Sequence, residues 1–237
     1  MRSISKRSCL ILLMTILASG LLTGCGGSPT KPDAKADQQT GDAAGSKAVA
    51  GSSASKGVQL PPLALIPNPY LKNKVNVPSK AKEEFAKAQA AMKAKKYKTA
   101  AGLWTLMTET YPKLSGPYVN LGIASWRLDN VDEAENAFTF AIETNKHNMD
   151  AYTQLGVLYR EQGKFAEAEK VYLAALEVWP HHLDSVLNIG VLYDLYMGRF
   201  EEALHYYVLS QRIVSEPNRK VKGWIVDLER RIAAQKG

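Results

Sequence analysis

The run MDAYTQLGVLYREQGKFAEAEKVYLAALEVWP, residues 149–180, decides the fold. Large apolar side chains recur in it three and four positions apart, first at Tyr152, Leu155 and Tyr159 and then at Phe165 and Tyr172. That spacing is the signature of a helix face. Gln162-Gly163-Lys164 interrupts the pattern midway, so the run reads as two antiparallel helices joined by a tight turn. Gly156, Ala168 and Ala175 are small enough to let the helices approach, and the aromatics fill the gaps between them.

The same unit recurs on both sides. Gly122, Gly156 and Gly190 are spaced by 34 residues, and Ala88 lies 34 before the first. Tyr118, Leu121, Gly122, Ala134, Phe138 and Ala141 repeat the pattern upstream, and Gly190, Tyr193, Phe200, Ala203 and Tyr207 repeat it downstream. Self-similarity at such a period marks a repeat architecture, and one hairpin cannot bury its apolar face alone. Residues 149–180 resemble the tetratricopeptide repeat at every signature position. The resemblance implies an all-α fold, a right-handed superhelix of about four helical hairpins at about 81–112, 115–146, 149–180 and 183–217. The first copy lacks the glycine and the early aromatic, as end repeats tend to. One extra residue near Met197-Gly198-Arg199 predicts a longer turn in the fourth copy. Trp224, Ile225, Leu228 and Ile232 share a helical face after Pro217, so 218–237 reads as a capping helix.

In proteins of this resemblance ligand peptides lie along the wall made by the first helix of each hairpin. Counting repeat positions places Phe85, Gln89, Met92 and Lys93 there from the first copy, and Val119, Asn120, Ile123, Trp126 and Arg127 from the second. The third supplies Thr153, Gln154, Val157, Arg160 and Glu161; the fourth, Leu187, Asn188, Val191 and Asp194. Trp126 and Arg127 stand out, because Trp and Arg are enriched among interface hot spots. Asn120 and Asn188 match the asparagines of carboxylate-clamp members, but Asp150 and Gln154 replace the clamp's basic residues, so capture of chaperone C-termini is not expected.

The chain's start points to export. Its two cysteines, Cys9 and Cys25, both precede the repeats, so no disulfide framework can staple the fold. Arg2, Lys6 and Arg7 are followed by the apolar run 9–22, a signal-peptide pattern too short to span a bilayer comfortably. Leu22-Thr23-Gly24-Cys25 resembles the bacterial lipobox, which implies cleavage after residue 24 and acylation of Cys25. With Gly26 rather than Asp next, a Gram-negative source would send the protein to the outer membrane, on its periplasmic side. Residues 25–60 carry the lipidated cysteine and a Gly, Ser, Ala and Lys-rich linker that cannot bury enough surface to order itself. The segment 61–78 combines prolines with Leu63, Leu65, Ile66, Tyr70 and Leu71; its prolines forbid a continuous helix. It suits either packing on the repeats or docking a partner.

Catalytic signatures are absent from the sequence. It holds no phosphate-cradling glycine loop, metalloprotease His pair or nucleophile elbow. His147, His181, His182 and His205 have no metal-ligand spacing. No cofactor, metal or enzymatic activity is expected. The formal net charge of +7 includes a basic C-terminal stretch, Arg219, Lys220, Lys222, Arg230, Arg231 and Lys236. These residues do not interleave with aromatics, and the expected compartment also argues against nucleic acid. The expected partners are envelope proteins or peptides, with the membrane held through the lipid anchor; an array this short leaves a homodimer open. The sequence therefore reads as a scaffold or assembly factor for a cell-envelope machine of the pilus, secretin or TonB type. The alternative is an adaptor that recruits peptidoglycan hydrolases or proteases.

Overall fold

The computed structural model describes residues 63–72 and 75–237. The expected signal peptide, Cys25 and the linker 25–60 lie outside them. Among the described residues no helix is long and apolar enough to cross a membrane.

A short turn of helix, α1 (Pro69–Lys72), precedes the array. Four antiparallel hairpins follow: α2 (Ser79–Lys93) with α3 (Tyr97–Thr110), α4 (Ser115–Trp126) with α5 (Val131–Thr144), α6 (Met149–Glu161) with α7 (Phe165–Val178), and α8 (Leu183–Val191) with α9 (Phe200–Ile213). Each second helix also packs on the first helix of the next hairpin, and α10 (Arg219–Lys236) packs on α9. The all-α stack with a terminal cap is the fold the 34-residue period predicts.

Each hairpin turns through one residue in the left-handed region, Lys95, Asp129, Gly163 and Gly198, with φ between 58° and 74°. The amide after this residue closes the turn: Lys96 N–H donates to the Ala91 carbonyl, Asn130 to Ser125 and Lys164 to Tyr159. In the fourth hairpin Arg199 donates to Tyr193, one residue further back. The extra residue does not lengthen the turn, as the sequence suggested. It is absorbed inside the helix, where residues Leu192–Met197 continue α8 as a π-helix. A π-bulge takes in one residue without breaking the backbone ladder.

Two further corrections follow. The widened turn carries Asp194 away from the first-helix wall; it is 8 % exposed and pairs with Arg231 of α10. Tyr207 donates its hydroxyl to the same carboxylate at 3.3 Å, and Arg231 also meets Asp227 at 3.0 Å. On α10 the buried face is Val221, Leu228 and Ile232 with Ile225 beside them, whereas Trp224 sits at the edge, 41 % exposed and 5.3 Å from the Tyr207 ring. Asn218 starts this helix, its Oδ1 accepting from the amides of Lys220 and Val221.

The hairpins are joined by a device that itself repeats. Tyr159 donates its hydroxyl to Glu135 at 3.0 Å, and Lys164 reaches the same carboxylate at 3.4 Å while lying 5.4 Å from the Tyr159 ring. One repeat later, Tyr193 donates to Glu169 at 2.6 Å, and Arg199 binds Glu169 at 2.6 Å and lies 4.2 Å from the Tyr193 ring. Burial and the Glu135 carboxylate push the Tyr159 hydroxyl pKa up to about 12, so it stays a donor. At the first junction the position equivalent to Tyr159 is Ser125, whose buried hydroxyl has no hydrogen-bond partner.

Candidate functional site: the first-helix wall and the strap beside it

The wall is built from rows of residues one repeat apart. Ile123, Val157 and Val191 form an apolar row, partly exposed, continued by exposed Gln89 in the first hairpin. Beside it Asn120, Gln154 and Asn188 form an amide row, also partly exposed. Asn120 donates its side-chain NH2 to the Gly116 carbonyl at 2.9 Å and Asn188 to Asp184 at 2.8 Å, each one turn back. Thr153 bonds the Met149 carbonyl in the same way at 3.1 Å. Each of these side chains places a donor on its own helix and keeps an oxygen that is able to accept. The Asn188 oxygen already accepts from Arg160 at 3.1 Å, which ties the third hairpin to the fourth, and the Arg160 guanidinium lies 5.7 Å from the Tyr196 ring.

The remaining wall residues divide by burial. Val119 is a core residue, while Phe85, Met92, Ile123, Trp126, Leu187 and Val191 are partly buried against the core clusters. Phe85 packs edge-on against the fully buried Trp104 at 4.7 Å. Trp126 is divided between the core cluster around Phe138 and solvent. Arg127, Lys93 and Glu161 are exposed at the rim.

The segment before the array packs on it, the first of the two uses left open above. Residues 63–68 belong to no helix or strand, and Pro67 and Pro69 bias the residues before them, Ile66 and Asn68, toward extended backbone. Trp179 donates its indole N–H to the Ile66 carbonyl at 2.8 Å, and the Ile66 amide donates to His181 Nδ1 at 2.8 Å. Further along, Asn68 and Tyr70 face Phe85, Val119, Asn120 and Asp150 across an open cavity of ≈ 370 Å³. This strap therefore follows the edge where the first helices begin, and it covers one end of the expected wall. Trp179, His181 and Asp150 had no place in the binding surface read from the sequence.

Both histidines of the 181–182 pair are satisfied. His182 caps α8, accepting from the Ser185 amide and contacting the Ser185 hydroxyl at 2.8 Å. Burial pushes its imidazole below the ordinary value, opposed by Asp184 and Asp150. Among the described residues no cluster of His, Cys, Asp or Glu could hold a metal ion.

Comparison with known proteins agrees with this geometry. Residues 147–216 match the family model described as tetratricopeptide repeat. Among solved structures, the fold is similar to MamA from residue 41 to its end from Desulfovibrio magneticus RS-1, at 16% identity and TM-score 0.55, covering 68% of this chain and 90% of that one. It is also similar to a crystal structure of the MamA protein at 22% identity and TM-score 0.50, with 56% and 72% covered. A further MamA structure, AMB-1, matches at 21% identity and TM-score 0.51, with 65% and 83% covered. No curated protein matches the chain by sequence. Residues 147–216 thus match the tetratricopeptide repeat, and the described array shares the stacked-hairpin fold of these structures.

Proposed function

We propose that the chain is a lipid-anchored scaffold, without catalytic activity, that binds other proteins and assembles a multiprotein cell-envelope machine from the periplasmic side of the outer membrane. The observation that carries this reading is the repeat of rows on the first-helix wall. An apolar row, Ile123, Val157 and Val191, runs beside an amide row, Asn120, Gln154 and Asn188. A bound peptide can bury side chains on the first and satisfy its backbone on the second, while Arg127 and Glu161 at the rim select its charge. The anchor rests on the lipobox at Cys25, and two or more acyl chains make such attachment stable.

The test is a crosslinking pull-down from membranes with the intact chain, Cys25→Ala and Arg127→Glu. Arg127 is the better probe than Trp126, because Trp126 packs on the core and its removal would confound binding with stability. The reading expects a defined envelope complex, membrane release on Cys25→Ala, and weaker capture on Arg127→Glu. Pilus, secretin or transporter subunits in the complex support an assembly role. Recovery of peptidoglycan hydrolases instead would make the chain an adaptor for cell-wall enzymes. A complex insensitive to Arg127→Glu would place the binding surface elsewhere.

A further inference from the structure

The hold on the strap is made through its backbone. Trp179 and His181 read the carbonyl and the amide of a single residue, Ile66, whose own side chain stays 48 % exposed. Any extended residue other than proline presents the same two groups. Its seat is also larger than its occupant. Open cavities of ≈ 400 Å³ beside Leu65 and Ile66, ≈ 370 Å³ at Asn68 and Tyr70, and ≈ 320 Å³ between Tyr70 and Val77 follow the strap along its length. Clefts of this size fall within the range that ligands fill. Leu65, Tyr70 and Leu71 meanwhile leave 52 %, 43 % and 63 % of their surface in solvent.

We propose that the edge marked by Trp179 and His181 is a binding site for an extended, apolar, proline-flanked segment of a partner protein, and that residues 63–72 hold this site in cis until such a segment displaces them. The proposal rests on the scaffold reading and deepens it, adding the edge where the first helices begin and the chemistry of the ligand that edge takes. The ligand resembles the strap because the strap shows what the seat accepts: backbone at Ile66, apolar side chains on both sides, and Pro67, which biases Ile66 to extended backbone ahead of the turn at Pro69–Lys72. A segment tethered a few residues before α2 competes at a high local concentration, so the intact chain is a weak receptor and the unstrapped chain a stronger one.

The probe is a fluorescein-labelled peptide with the sequence of residues 63–72, LALIPNPYLK, followed by fluorescence anisotropy against the full chain, Ile66→Pro, and Ile66→Pro combined with Trp179→Phe. Ile66→Pro removes the amide that His181 accepts and leaves every side chain of the array in place. The peptide should bind Ile66→Pro about tenfold or more tightly than it binds the unaltered chain. Adding Trp179→Phe, which keeps a ring but removes the donor, should cost about two- to tenfold. Equal binding to the unaltered chain and to Ile66→Pro, or indifference to Trp179→Phe, overturns the proposal. So does a loss of helicity by circular dichroism in Ile66→Pro, since the strap would then be part of the fold. A membrane pull-down that recovers a complex while the peptide binds nothing removes only this proposal; peptide binding with no complex removes only the scaffold reading.

Discussion

Three glycines set the distance between the helices of a hairpin. A Cβ added to Gly122 would sit 2.5 Å from the Phe138 ring, one on Gly156 would sit 2.3 Å from Tyr172, and one on Gly190 would sit 2.8 Å from Tyr207. Those rings are almost wholly buried, so none can swing aside. Gly156→Ala should therefore destabilise the array by about 1–3 kcal/mol, the usual cost of overpacking. Gly102→Ala is the control: nothing lies within 4 Å of its added Cβ, and in mid-helix the change should stabilise by about 0.5–1 kcal/mol. Urea unfolding of the two variants checks both signs, and equal effects would mean that the close approach is not what Gly156 provides. Such residues were legible in the sequence because their role is repeated every 34 positions. Trp179 and His181 were not, because what they bind lies 113 and 115 residues away along the chain and no local pattern records it.

At the scale of an element, the fourth hairpin shows where periodicity stops being a guide. The sequence located the extra residue but not its fate, since a longer turn and a π-bulge have the same length. The bulge was chosen by what it allows: Asp194 turns toward α10 and meets Arg231, whose guanidinium also lies 4.5 Å from the Phe200 ring. Hydrogen bonding to Asp194 holds the Arg231 pKa above its ordinary value, so the guanidinium stays charged. Arg231→Met would leave the Asp194 carboxylate buried without its cation. Loss of a fully buried partner costs about 3–5 kcal/mol. Arg231 is partly solvated, so about 1–3 kcal/mol is expected here. The measurement is thermal unfolding of Arg231→Met beside Asp194→Asn combined with Arg231→Met. The double variant should recover much of the loss, because no buried charge is then stranded. No recovery would mean that Arg231 acts on α10 through its contact with Phe200 alone.

For the whole array, stability is a sum of hairpins and of the junctions between them, so its ends need not be equal. The C-terminal end is closed by α10, which buries Val221 and Leu228 over the Tyr172, Tyr193 and Tyr207 cluster. Both junctions beyond the second hairpin carry the Tyr–Glu–base clasp, through Glu135 and Glu169. Among the described residues the first junction has neither clasp nor capping helix, and the chain leading in packs beside it, with Val77 on the Trp104 cluster. The array should therefore open from its N-terminal end. Each clasp is partly exposed and contributes modestly, so amides of α2 and α3 are expected to exchange through openings about 1–2 kcal/mol cheaper than those of α6 to α9. Native-state hydrogen exchange reads this directly. Glu169→Gln should then lower the opening energy of the α8 and α9 amides toward that of the first hairpin while leaving α2 and α3 unchanged. Uniform protection across the four hairpins, or earliest exchange in α9 and α10, would show that the clasps do not set the order of opening.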